Sequence, residues 1–259
     1  MLKKMELYGY AAWLVALVLG VLMFLGDLIG HRMRTKRANT KSGKSIGLGP
    51  LEGSLLGLLS LLLSFTFQMA AQRYDQRRII LIEETNRIGT ALLRSDLFQK
   101  DEREVVRLLF KDYIKSRISY FDAGTDRKKI QKTILEAERI SKELWRHAVS
   151  GKLIPQERIL VIGAYNEMID VVTMRDSMRE AVIPDSILWL LFILSFLSSI
   201  VIGYCTDSRL LDSIIAQAFT VVVCLTIFII LDLDRPRRGF INLKSEEKHL
   251  AGLLKDFDR

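Results

Sequence analysis

If this chain did covalent chemistry, its carboxylates and histidines would have to converge, and their spacing does not allow it. Glu83 and Glu84 are neighbours on a helical stretch, so they point about 100° apart and do not form an acid/base pair. His31, His147 and His249 are far apart in the chain and read as solvated or interfacial side chains rather than ligands. There is no phosphate-binding GxxxxGK[ST], no dinucleotide-binding GxGxxG and no paired-histidine zinc motif. The expectation is a non-enzyme with no catalytic residue, no cofactor and no bound metal.

The residues with a polar task lie elsewhere, on one uncharged stretch from Gly53 to Ala71 and just beyond it. At about 100° per residue, Gly53, Gly57, Ser60, Ser64, Gln68 and Ala71 share one narrow face, which Asp75 and Arg78 continue. A small and polar stripe on an apolar helix either lines a hydrated path or marks where helices pack closely, because small residues let backbones approach. Of the two, packing is the favoured expectation. Three acids sit at membrane edges. Asp27 is expected to pair with Arg32 or reach headgroups, and Asp232 and Asp234 to pair with Arg235, Arg237 and Arg238.

The elements that must hold these residues follow from hydropathy. Tyr8 to Ile29, Ile46 to Ala71, Ile183 to Cys205 and Leu210 to Leu231 are each long enough for the roughly 20 residues that cross about 30 Å of hydrocarbon. The fold class is therefore an all-α membrane protein: four transmembrane helices in two pairs, with a helical soluble domain inserted between the pairs. By residue, the first pair is 1–71, the soluble domain 72–183, the second pair 184–232 and an amphipathic C-terminal tail 233–259. Lys3 and Lys4 precede a core too long for a signal peptide, with no small-residue cleavage site after it, so the first block reads as a mature span. Cys205 and Cys224 sit in or beside the second pair of spans and read as small buried hydrophobes.

No Pro or Gly separates span two from the charged run that follows, so one helix is expected from the membrane to about Phe98. Asp101 and Glu104 have capping-box spacing for a second soluble helix that buries Val105, Leu108, Leu109, Ile114 and Ile118. Asp122 to Thr125 is a turn. A third helix from about Asp126 to Ser150 carries an Ile130, Ile134, Ala137, Ser141, Leu144, Ala148 stripe and ends at Gly151; Pro155 opens a fourth that runs to about Arg179.

A net charge of +8 and a pI near 9.5 invite a nucleic-acid reading, but the basic residues lie beside spans or alternate with acids along helices. Anionic lipid headgroups explain them, and no nucleic-acid partner is expected. The face with both termini and the long polar segment has the larger Lys and Arg total, while the first connector, Arg32 to Lys44, has the greater density and is joined by Arg209. By the total, both termini and the soluble domain are placed in the cytoplasm, at a bacterial inner membrane.

Ser64-Phe65-Thr66, Tyr74-Asp75-Gln76-Arg77-Arg78 and Glu84 to Arg94 resemble the bestrophin-like membrane family, as does the closing Leu231-Asp232-Leu233-Asp234-Arg235-Pro236-Arg237-Arg238-Gly239. That family is distantly similar to the bestrophin anion channels, pentamers in which the second span of each subunit lines a common pore narrowed by an apolar neck. The resemblance implies self-association as a pentamer in a lipid bilayer and passive permeation of an anion such as chloride. It makes Leu59, Leu63 and Phe67 neck rungs and Gly57, Ser60, Ser64 and Gln68 their companions on the pore wall. Arg73, Asp75, Arg77, Arg78, Asp232 and Asp234 become charges at the pore mouth or membrane interface, where arginines concentrate anions. The tryptophan pair of bacterial bestrophins and the acidic calcium clasp of animal ones have no counterpart here. Two other classes remain: a membrane-anchored interaction or sensing module without conduction, and a secondary transporter, disfavoured because no span is broken at mid-membrane.

Overall fold

The structure is a computed structural model that describes residues 9–38, 49–206, 210–235, 239–241 and 243–257. Lys3, Lys4, Lys41, Lys44, Arg209, Arg237 and Arg238, which enter the charge comparison above, lie outside the described residues. Eight α-helices account for almost all of what is described: α1 (Ala12–Ala38), α2 (Gly49–Arg94), α3 (Lys100–Asp122), α4 (Arg127–Ser150), α5 (Pro155–Glu180), α6 (Asp185–Cys205), α7 (Leu210–Leu233) and α8 (Lys244–Gly252). Short 3-10 turns follow α2 and α8, and no strand occurs among the described residues. Four of the helices, α1, α2, α6 and α7, are long and apolar enough to cross a membrane.

The chain divides into two compact units. Among the described residues, 9–38, 49–72, 182–206, 210–235 and 239–241 form the first, and 73–181 and 243–257 the second.

In the first unit α1 packs chiefly on α6 and α7, and α6 on α7. Close approach of α1 and α6 depends on glycine. A Cβ on Gly30 would collide with the Ile200 carbonyl oxygen and the Tyr204 nitrogen, one on Gly203 with the backbone of Asp27, and one on Gly26 with the Ser199 hydroxyl. As α1 advances from Gly26 to Gly30 its partners advance from Phe196 and Ser199 to Gly203 and Tyr204, so the two helices run parallel. Helix α7 runs the other way, with Gln217 opposite Asp27 and Cys224 opposite Met23 and Gly20. Asp27 thus meets the Gln217 amide at 3.0 Å, not Arg32 as expected, because the α1–α7 packing sets the side chain toward its neighbour helix.

The second unit has a core of Ile88, Leu92, Phe98, Val106, Phe110, Ile114, Ile140, Leu144, Val161 and Tyr165, drawn from α2 to α5. Asp126, at the expected start of the third soluble-segment helix, caps α4 by accepting the N–H groups of Lys128 at 3.0 Å and Lys129 at 3.2 Å. The tight turn before it uses Gly124 at φ 53°, a backbone conformation glycine adopts without steric cost. Pro155 opens α5, and the Glu157 carboxylate accepts the Ile154 N–H.

Two expectations fail here. Helix α3 starts at Lys100, one residue ahead of the anticipated Asp101 cap, and Gln99 at its N-cap makes no side-chain cap hydrogen bond. Its buried side also differs in part: Ile114 is buried as anticipated and Leu109 and Ile118 pack against the core, but Val106, Phe110, Tyr113 and Arg117 face inward while Val105 and Leu108 are exposed at 47% and 63%. The large aromatic rings and a buried arginine decide the phase against two aliphatic side chains. After α7, Leu250 is fully buried in the core of the second unit, and Leu253, Leu254 and Phe257 pack against that core.

Candidate functional site: the α2 helix and its buried ionic joint

Helix α2 is 46 residues long and unbroken at Gln72, where its apolar part meets its charged part. Its apolar part has two unlike sides. Leu59, Thr66 and Ala70, spaced i, i+7 and i+11, are at most 1% exposed and lie against the chain's own packing. On the opposite side Gly53, Gly57, Ser60, Ser64 and Gln68 are all exposed, and a Cβ placed on Gly53 or Gly57 would meet nothing within 4 Å. The small and polar stripe is therefore not where the chain packs its own helices; that task belongs to Gly26, Gly30 and Gly203. A Gly26-x-x-x-Gly30 spacing in the first apolar block was the available signal for it.

The three neck positions do not share a side. Leu59 is turned into the chain, Leu63 is half-buried and Phe67 is 40% exposed. Positions four apart drift by about 40° on a helix, which carries Phe67 toward the polar stripe and leaves Leu59 behind.

Beyond Gln72 the charges divide in the same way. Asp75 and Arg78 are exposed, whereas Arg73 and Arg77 are half-buried. Arg77 donates to the Ala181 carbonyl oxygen at 2.7 Å, fixing the residue that follows α5. Asp232 and Asp234 are structural, at 2% and 3% exposure. The Asp232 carboxylate accepts the N–H groups of Phe240 at 3.1 Å and Ile241 at 2.9 Å, and Asp234 accepts that of Ile183 at 3.1 Å. Gly239 is required beside them, since a Cβ there would press on the Asp232 carboxylate. The arginine partners anticipated for these acids include Arg237 and Arg238, outside the described residues; Arg235 donates to the Tyr10 carbonyl.

Among the described residues, the most buried charges lie on the charged part of α2 and its neighbours. Glu84 is fully buried and receives Arg117 Nε of α3 at 2.7 Å and Arg175 Nη1 of α5 at 2.9 Å and 3.1 Å. Arg175 also reaches Asp176 at 3.3 Å and lies 4.2 Å above the Tyr120 ring, with Arg117 5.2 Å from the same ring. Burial pushes the Glu84 carboxyl up from its ordinary value, while the charge and hydrogen bond of Arg117 pull it down. Burial likewise pushes the nearby Tyr113 phenol up to about 12. One carboxylate so ties three helices together. Its neighbour Glu83 pairs with Arg87 at the surface, so the two glutamates diverge as their spacing requires. The signal for this joint was legible but unread: Arg117 falls in the apolar stripe of α3, and Glu84 lies between Leu81 and Ile88 on the covered side of α2.

Among the described residues no three His, Cys, Asp or Glu side chains converge as a metal site. His147 meets Glu102 at 3.1 Å, and His31 and His249 lie elsewhere. The arrangement defines an integral membrane protein of four apolar helices whose second helix carries an uncovered polar stripe.

The comparisons with known proteins make that class specific. The Bestrophin-like domain matches residues 12–247, and the chain belongs to the bestrophin-like family. Crystal structures of a bacterial bestrophin homologue from Klebsiella pneumoniae have the same fold. One aligns with a TM-score of 0.71 at 11% identity, covering 92% of this chain and 98% of that one. A second gives 0.68 at 12% identity over 91% and 98%, and a single-site variant gives 0.70 at 12% over 93% and 97%. No curated protein matches the chain.

Proposed function

We propose that the chain is one subunit of an oligomeric channel in which the small and polar side of α2 faces a central path for passive anion flow, chloride being the test ion. The observation that supports this is the position of Gly57, Ser60, Ser64 and Gln68 on the side of a membrane-crossing helix that its own chain leaves uncovered. Hydroxyl and amide groups are costly against lipid tails, so such a side wants water or another protein surface. A ring of copies supplies both: neighbours cover the flanks and water fills the middle. Family membership favours a channel over an enzyme.

In this reading Phe67, with Leu63 beside it, forms the apolar constriction, and Leu59 supports it from behind. Asp75 and Arg78 lie at the mouth, and Arg73, Arg77, Asp232 and Asp234 hold the surrounding structure. The two pairs of spans flank an inserted helical domain, which is cytoplasmic along with both termini, the bilayer being a bacterial inner membrane. Five copies follow the family resemblance.

The test is reconstitution. Purified protein in liposomes is expected to pass chloride, and Phe67→Ala to raise the flux while the particle mass stays that of an oligomer. A monomeric particle that passes no ion at any voltage or pH sinks the channel and favours the anchored interaction module.

A further inference from the structure

The first unit has two unlike ends. At one, three hydrogen bonds level the helices: Arg235 with the Tyr10 carbonyl, the Ile183 N–H with Asp234, and the Phe240 N–H with Asp232. Around this polar end stand four exposed aromatic side chains, Tyr10 at 54%, Trp13 at 55%, Trp189 at 52% and Phe240 at 79%. They come from the start of α1, the start of α6 and the segment after α7. The parallel run of α1 and α6 and the reversed run of α7 bring all of them to the same end. At the other end, where Arg34 donates to the Cys205 carbonyl at 2.9 Å, the exposed large apolar side chains among the described residues are Leu28, Ile29, Met33, Leu51, Ile214 and Ile215. None is aromatic.

We infer that Tyr10, Trp13, Trp189 and Phe240 form a collar that seats in the headgroup boundary of a lipid bilayer and sets the depth of the first unit. Three observations select lipid over a protein partner. Indole and phenol groups combine an apolar body with a polar tip, which suits a boundary between hydrocarbon and water. They stand level with buried Asp232, Asp234 and Arg235, where the chain itself changes from apolar to polar. And 21 residues separate Trp13 from Arg34, about 32 Å along a helix, against a hydrocarbon core of about 30 Å. The same rise places Asp27 about 21 Å from the collar, inside the hydrocarbon, where the Gln217 amide is its partner.

The experiment uses the tryptophans themselves. Trp145 belongs to the second unit, so Trp145→Phe leaves Trp13 and Trp189 as the only emitters. In vesicles of phosphatidylcholine brominated near the headgroup, fluorescence is expected to fall several-fold further than in vesicles brominated near the chain ends. Stronger quenching by the deep bromines, or none by either, overturns the collar; the second result means that protein covers these rings. If Trp145→Phe does not fold, Trp13→Phe and Trp189→Phe in the natural chain replace it. Each is then expected to remove part of the shallow-quenched signal, and an undiminished signal in both overturns the inference. Neither arm depends on conduction, so the collar and the channel stand or fall separately.

Discussion

Glycines of α1 and α6 and glycines of α2 occupy comparable apolar helices and meet opposite surroundings. Gly26, Gly30 and Gly203 are filled to the backbone by the neighbouring helix, while Gly53 and Gly57 face open space. A small residue in a membrane helix thus has no single meaning. What decides is whether the chain's own helices come up to it, and only the three-dimensional packing tells that. The contrast also separates tasks: one set of glycines joins the spans, and the other leaves a helix side free for water or another copy.

Substitutions sharpen that contrast, beginning with the largest effect. Gly30→Leu or Gly203→Leu drives a side chain into backbone atoms that cannot move aside, exceeding the ~1–3 kcal/mol of ordinary core overpacking. The expected result is loss of monodisperse protein on size exclusion in detergent. Normal yield and melting temperature for both would mean that α1 and α6 do not cross as described.

Next is Glu84→Gln, which leaves Arg117 buried without its counter-charge and Arg175 with Asp176 alone, and should cost about 3–5 kcal/mol in thermal unfolding. Combining Glu84→Met, Arg117→Met and Arg175→Leu should recover most of that loss, since apolar packing replaces the ions. Smaller still is Asp126→Ala, at about 1 kcal/mol through the lost cap of α4.

The smallest stability change belongs to Gly57→Leu, within about 0.5 kcal/mol because nothing stands in its way. Its effect should fall on ion flux instead, with a sharp drop in liposomes at unchanged melting temperature. A large stability loss there would erase the difference between the two glycine sets.

Most of the architecture was legible in the chain. The four apolar blocks, the unbroken helix through Gln72 and the start of α4 near Asp126 are local features, set by hydropathy and by short-range spacing. The phase of α3 was legible only in part, because Val105 and Leu108 are as apolar as Val106 and Leu109, and the choice rests on how Phe110 and Tyr113 of the same helix fit the core and on Arg117 reaching Glu84. The small and polar spacing of α2 follows from periodicity; that the chain's own helices leave that side uncovered is a tertiary fact. The Asp27–Gln217 contact joins residues 190 positions apart, beyond the reach of any periodicity.

Leu250 has a consequence for the order in which the molecule is made. The core it closes is built from residues 88–168, yet Leu250 is synthesised only after both α6 and α7. Its seat therefore stays vacant while the last two spans leave the ribosome and enter the bilayer. Completion of the second unit's core waits on synthesis of α6 and α7, so a chain stalled before Leu250 would display an open apolar socket to the quality-control machinery of the cell.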